Sequence, residues 1–352
     1  MRPFQILVMG AGAIGCFVGG CLASSGHEVT LVGRPALMDK LARDGLTLHR
    51  PGLPPQTIFL KTITSVPTDS TFDFIFLTVK GPDTAQAIRD LSGLSKSYLV
   101  SLQNGVGNEE RLAAAFGPER VIAGTITIPI AVPELGLIEV SKPKGGFGFA
   151  PLQTGQPLVG LAAAFTQAGL TTALYDDYRA MKWSKLLLNM VNNASCAILK
   201  QTPAQVIARP ELLNLEILAL REAVDVMQAQ GIRAVKLPGY PADWLARLIS
   251  AHWLPLAVTG AILRPSMLSG RGSKLPSLYL DLAAGRPPLK LTFKTGLWSG
   301  RANVRYPHAG QSGFDRDFER IGLRPTGLGG VSKPAGKANS GSNHQIRVIK
   351  YG

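Results

Sequence analysis

Phe4-Gln5-Ile6-Leu7-Val8-Met9-Gly10-Ala11-Gly12-Ala13-Ile14-Gly15 decides the reading of this 352-residue chain. Phe4 to Met9 is an apolar run of strand length, and Ile14 to Ser24, rich in small and apolar residues, reads as a helix. The pattern G-x-G-x-x-G therefore falls at a strand-to-helix turn, where it has a mechanism. Gly10 permits the tight turn. Gly12 lets the backbone approach a pyrophosphate. Gly15 lets the helix pack closely on the strand. The helix N-terminus offers unpaired N–H groups and a partial positive charge to phosphates. Gly10, Ala11, Gly12, Ala13, Ile14 and Gly15 are thus expected to form a dinucleotide-binding loop.

The next strand, His27 to Val32, runs into Gly33-Arg34. Enzymes using NAD usually carry an acidic residue here for the ribose 2′-hydroxyl. This chain carries Arg34, whose guanidinium suits a 2′-phosphate by charge and by bidentate geometry. The expectation is NADP(H); the alternative is a solvated surface arginine.

Further short β-branched runs follow: Phe74–Val79, Tyr98–Leu102, Val121–Ile130 and Leu137–Val140. Strands alternating with helices predict an α/β fold, a Rossmann-type parallel sheet with helices on both faces. Near Tyr178 the pattern changes. Lys182 to Ile198 has helical spacing without glycine or proline, and Leu212, Leu213, Ile217, Leu220, Val224 and Met227 recur at three- and four-residue steps. The expected organisation is a cofactor domain over 1–178, a mostly α-helical substrate domain over 179–290, and an atypical basic tail over 291–352.

The formal net charge of +14 invites a nucleic-acid reading, but from Arg286 onward twelve Lys and Arg stand against three Asp and Glu. The tail therefore holds +9 of the total, and the remainder is unremarkable for a chain that binds phosphorylated cofactors. No nucleic-acid partner is expected. The longest apolar run, Trp253 to Leu263, is interrupted by Pro255 and is too short to span a bilayer, so it reads as a buried helix and no membrane partner is expected. Cys16, Cys21 and Cys196 have no metal-ligand spacing; they predict reduced thiols, no metal and a cytoplasmic protein with no signal peptide.

Three later segments carry more specific chemistry. Leu77-Thr78-Val79-Lys80 places a lysine at the carboxyl end of a strand, where open α/β sheets bind ligands. Ser101-Leu102-Gln103-Asn104-Gly105-Val106-Gly107 ends the next strand with an amide and two glycines. In Lys182-Trp183-Ser184-Lys185-Leu186-Leu187-Leu188-Asn189-Met190-Val191-Asn192-Asn193, residues Lys185, Asn189 and Asn193 are four apart. On one helix they would share a face. That face suits either a polar cleft between domains or a solvated edge.

Together these segments resemble the ketopantoate reductase (2-dehydropantoate 2-reductase) family from about Phe4 to Arg286. The glycine loop is widely shared; V-K, Q-N-G and W-x-K-x-x-x-N-x-x-x-N in combination are much more specific. The stretch Gly270 to Leu282 resembles the family segment that carries a substrate-binding serine, which matches Ser277, with Ser266 as the competing candidate. The resemblance implies Lys185 as general acid to the ketone oxygen during hydride transfer. It implies Asn189, Asn193 and Ser277 on the substrate, Asn104 on cofactor and substrate, and Lys80 and Arg34 on the adenosine-phosphate end of NADPH. It implies reduction of 2-dehydropantoate to pantoate, a step toward pantothenate and coenzyme A. Another small 2-oxoacid substrate and an inactive nucleotide-binding remnant are the alternatives. A homodimer is compatible with all three.

The resemblance fails after Arg286. Where the family places a glutamate of the cofactor site, this chain has Leu289. Codons for Pro288–Phe293, read two bases later, can spell the family-like string A-E-V-D-F. Codons for Val304–Asp315, read one base later, can spell Y-G-I-P-T-P-V-N-R-A-L-T. We read the tail as the product of at least two reading-frame slips. The second domain is then expected to lack its last helices and the chain to show weak or absent activity.

Overall fold

The structure is a computed structural model that describes residues 2–271 except 68, 69 and 95, together with 275, 276 and 278–280. The expectations for Ser277, for Leu289 and for the tail lie outside the described residues.

The chain opens with β1 (Gln5–Met9), α1 (Ala13–Ser24), β2 (Glu28–Val32) and α2 (Pro35–Asp44). A four-residue strand β3 (Leu46–His49), then β4 (Gln56–Ile58) and β5 (Lys61–Ile63), precede β6 (Phe74–Leu77), α3 (Thr84–Leu91), β7 (Tyr98–Ser101) and α4 (Asn108–Phe116). Next come β8 (Val121–Ile126), β9 (Ile130–Ala131), β10 (Leu137–Val140), β11 (Phe147–Pro151), α5 (Leu158–Gln167) and β12 (Thr172–Leu174). The rest is helical: α6 (Tyr178–Met190), α7 (Asn193–Leu199), α8 (Pro203–Ala208), α9 (Pro210–Ala229), α10 (Ala242–Ile249) and α11 (Leu256–Arg271).

The main sheet has eight strands in the order β12-β11-β8-β7-β6-β1-β2-β5. Its centre is parallel and apolar on both faces, as strands sandwiched between helices must be: every residue of β6 is buried, as are the last four of β1. On one face Phe17 of α1 and Phe165 of α5 close over Phe76, Phe147 and Phe149, with the Phe147 and Phe165 rings edge to face at 4.7 Å. On the other, Leu91 of α3 and Leu112 of α4 cover Leu7, Ile75 and Leu77. Burying each such side chain contributes about 1.5–3 kcal/mol.

Three sequence expectations need correction. First, the sheet is not wholly parallel. β11 pairs antiparallel with β8, so β11 and β12 run against the rest. The stretch expected as one strand over Val121–Ile130 divides: β8 ends at Ile126, and Ile130 begins a strand of a separate sheet ordered β4-β3-β10-β9 that holds Leu137–Val140. That small sheet lies against α1 at Gly20, where a Cβ would come within 2.9 Å of Leu46 and Leu48.

Second, Lys182–Ile198 is two helices. Asn192 takes the left-handed conformation, φ 57°, and ends the run of α6. Asparagine tolerates this region better than most residues. Asn193 therefore does not continue the face of Lys185 and Asn189.

Third, Trp253–Leu263 is not a buried helix. Trp253 is 83% exposed and α11 begins at Leu256. Only one stripe of α11 is covered: Leu263 and Met267 face the helical core, while Val258 and Ile262 are more than two-fifths exposed.

That helical core joins Trp183, Leu186, Leu187 and Met190 of α6 to Ile217, Leu220, Val224 and Met227 of α9 and to Ile249 of α10. Among the described residues no helix is long and apolar enough to cross a membrane, and no disulfide forms.

Candidate active site

β1 lies between β2 and β6, so the strand order reverses at its edge. The loops after β1 and β6 thus meet at the point where open α/β sheets form a ligand crevice. Gly10 has φ +111°, outside the range most residues adopt, and its amide donates to the carbonyl of Val32. Thr78 Oγ1 donates to the carbonyl of Gly10 at 2.6 Å, tying the two loops together. A Cβ on Gly15 would stand 2.0 Å from the Gly10 carbonyl oxygen and 2.6 Å from Thr78 Oγ1. That is the close helix-on-loop contact the spacing predicts.

Gly12 is different. It is the N-cap of α1 with no side-chain cap, and a Cβ there would meet nothing within 4 Å. The first turn of α1 thus presents its N–H groups to open space beside a cradle free of protein, which fits a pyrophosphate. Arg34, exposed, is the N-cap of α2 immediately past β2. Lys80, also exposed, follows β6 and precedes a 3-10 turn at Gly81–Asp83. The loops bearing both residues lie at the carboxyl edge of the sheet.

The loop after β7 completes that edge. The buried Gln103 side chain donates to the carbonyl of Val79 at 3.0 Å and to Thr84 Oγ1 at 2.8 Å, holding the Val79-Lys80 segment from behind. The Asn104 carbonyl accepts from Asn108 Nδ2, and Gly105 and Gly107 both have φ near +90°. The Asn104 side chain is left exposed in the crevice.

α6 crosses this edge. Asp177 caps it by accepting from the Arg179 amide at 2.8 Å. Met181 packs on Ala123 and Ala150 of the sheet, and the last two turns pack on α9. Asn189 Nδ2 donates to Asn104 Oδ1 at 3.3 Å, bridging the helical half and the sheet half. Lys185, half-buried, lies one turn before Asn189 on the same face. The structure therefore brings together Asn104, Asn189 and the helical turn of Lys185. Asn193, half-buried, begins α7 beyond the break, with its Oδ1 buried. Ser266 is exposed on α11.

Several buried charges escaped the sequence reading, Lys182 and Glu216 among them. Lys182, 3% exposed, donates to the carbonyl of Gln103 at 2.6 Å and to that of Gly124 at 3.2 Å. Its Nζ also lies 2.7 Å from Glu109 Oε1, an ion pair approached too obliquely for a hydrogen bond. Glu216 of α9, 2% exposed, accepts from the Asn192 amide at 2.9 Å and from Ser195 Oγ. It caps α7 from another helix and holds the left-handed turn at Asn192. Lys182 lay inside the quoted motif; only its burial in the fold separates it from an ordinary surface lysine.

Sequence comparison matches residues 6–153 to the family described as ketopantoate reductase PanE/ApbA and residues 177–289 to its C-terminal domain. The chain is 31% identical over 232 residues to a 2-dehydropantoate 2-reductase of Pyrococcus horikoshii, covering 65% of this chain and 75% of that protein. It is 29% identical over 235 residues to one of Archaeoglobus fulgidus, covering 66% and 76%. A crystal structure of 2-dehydropantoate 2-reductase from Geobacter metallireducens superposes with a TM-score of 0.70 at 27% identity, over 85% of this chain and 93% of that one. A ternary structure of D-mandelate dehydrogenase with NADH and anilino(oxo)acetate shares the fold, with a TM-score of 0.68 at 18% identity over 91% and 94%. With both halves matched in order, the chain belongs to the ketopantoate reductase PanE/ApbA family of oxidoreductases.

Proposed function

We propose that the chain reduces 2-dehydropantoate to pantoate with NADPH, residues 1–178 binding the cofactor and 179–290 carrying substrate groups. The observation that carries this reading is the Asn104–Asn189 contact. It sets the helical face of Lys185 and Asn189 against the carboxyl edge of the sheet, the same edge on which the open cradle at Gly12 lies.

Bound with its pyrophosphate at Gly10–Gly15, a reduced nicotinamide would supply hydride to the ketone carbon. Arg34 and Lys80 hold the adenosine-phosphate end; the absence of a carboxylate after β2 favours the 2′-phosphorylated form. Lys185 holds a proton at the ketone oxygen and gives it up as the oxygen gains charge. Asn189 and Ser277 hold the substrate carboxylate and hydroxyl, and Asn104 orients substrate and cofactor from the opposite wall; Asn193, taken off that face by the break at Asn192, is left out of the set. The D-mandelate dehydrogenase neighbour in fold holds NADH, which makes NADH the competing dinucleotide.

The test is NADPH oxidation with 2-dehydropantoate, run beside NADH and a panel of 2-oxoacids, in the native chain and in Lys185→Ala. Loss of about 10²–10⁴-fold in kcat is expected for a missing general acid. Equal rates in the two proteins would remove Lys185 from the chemistry.

A further inference from the structure

Lys182 has none of the roles just given, yet its one ammonium reaches three segments of the sheet half. These are the carbonyl of Gln103 after β7, the carbonyl of Gly124 within β8, and Glu109 in the first turn of α4. A methionine would fill the same length of space without directional hold, and replacing a buried ion pair by apolar residues of like volume is often neutral or stabilising. Gln103 is itself fastened on its other side to Val79 and Thr84. The segment carrying Lys80, the loop carrying Asn104, and α6 therefore form one continuous polar linkage with Lys182 at its centre.

We infer that Lys182 is a positioning residue, fixing the stand-off of α6 from the Asn104 loop and so the placement of Lys185 and Asn189 in the crevice. The leverage can be worked out. Asn189 lies seven residues beyond Lys182, about 10 Å along the helix axis. A 10° tilt about the Lys182 anchor would move Asn189 by about 2 Å, enough to break its 3.3 Å contact with Asn104. Misplacement of that order can slow a reaction about 100-fold. The kinetic part of this inference rests on the proposed reductase activity; the structural part does not.

The experiment uses the full chain. Asn104→Cys and Asn189→Cys are combined, and disulfide formation between them under mild oxidation is timed in the presence and absence of Lys182→Met with Glu109→Leu. The apolar pair keeps the site filled and avoids a stranded charge. Disulfide formation is expected to slow at least tenfold. In chains without the added cysteines, kcat is expected to fall about 100-fold, while the cofactor dissociation constant changes less than threefold. If the apolar pair does not fold, Lys182→Gln and Glu109→Gln replace it, with slowing of several-fold expected. Equal disulfide rates in the two backgrounds, or none in the parent, overturn the inference. A native chain that turns over no oxoacid refutes the reductase reading, and the disulfide rates still decide the role of Lys182.

Discussion

Gly12 and Gly15 lie one helical turn apart in the same loop, and substituting each with alanine should separate binding from folding. At Gly15 the added carbon would stand 2.0 Å from the Gly10 carbonyl oxygen, over 1 Å inside ordinary contact, and 2.6 Å from Thr78 Oγ1. Neither neighbour can move alone, because Thr78 Oγ1 donates to that same carbonyl. Overpacking of this kind costs about 1–3 kcal/mol. Loss of the Thr78 hydrogen bond adds about 1 kcal/mol. Together these lower Tm by about 5–15 °C. At Gly12 the added carbon meets nothing, and φ −85° is open to any residue. Alanine is a poorer N-cap than glycine, but it also restricts the unfolded chain, and the two effects of about 0.5–1 kcal/mol offset each other. Gly12→Ala should therefore unfold like the parent without ligand. The methyl group occupies the cradle, so the variant should lose the stabilisation that dinucleotide gives, about 2.7 kcal/mol at a hundred times Kd. Calorimetric unfolding with and without NADPH reads both effects. A Gly12→Ala chain that gains Tm on adding NADPH as the parent does would refute the reasoning, and so would one that is destabilised as much as Gly15→Ala.

Arg34→Ala should weaken NADPH binding at least tenfold and leave NADH binding within about threefold, since only the 2′-phosphate needs a guanidinium; parallel losses by fluorescence titration would exclude that contact. Glu216→Leu should destabilise the chain by about 1–3 kcal/mol, because the buried Asn192 amide then loses the acceptor that Glu216 supplies, and denaturant unfolding with an unchanged midpoint would contradict the capping role. Burial pushes the Cys16 thiol up to about 12 and the Cys21 thiol up to about 11, the latter despite the opposing pull of Arg50. Both should resist alkylation at pH 8 in the folded chain and react once it is unfolded. The folded state holds these protons more tightly, so the stability they confer is complete below the unfolded value near 9 and declines as pH rises from there to about 11 for Cys21 and about 12 for Cys16. Peptide mass mapping that finds either thiol labelled in the native state would contradict this.

The glycine loop was legible because strand, turn and helix each have a local signature within fifteen residues, and the apolar runs located β1, β2, β6, β7 and β10. β11 was not read as a strand, and its direction was not legible either. Phe147–Pro151 is as apolar as any central strand, and direction depends on which edge the chain returns along. The break at Asn192 left only a weak local trace, the Asn192-Asn193 pair; the deciding force is Glu216, distant in sequence, which stabilises the turn by accepting from Asn192 and Ser195. The face shared by Lys185 and Asn189 follows from spacing within α6, but the opposing Asn104 becomes their neighbour only through the tertiary fold. Lys182 shows the same limit: its string reads as one more basic residue until Glu109 and two carbonyls enclose it.

The reversed pair β11 and β12 governs more than strand count. Because those strands run downward relative to the central ones, the helix after them climbs, its lower turns braced on the sheet and its upper turns overhanging the rim. α6 thereby behaves as a measuring screw: each residue between Asp177 and Lys185 adds about 1.5 Å of height and about 100° of rotation. A single inserted residue in that interval would swing the ammonium of Lys185 round to the flank of the helix while leaving every downstream residue type intact. The eight-residue interval from Asp177 to Lys185 therefore sets the height and the bearing at which Lys185 stands on the helix.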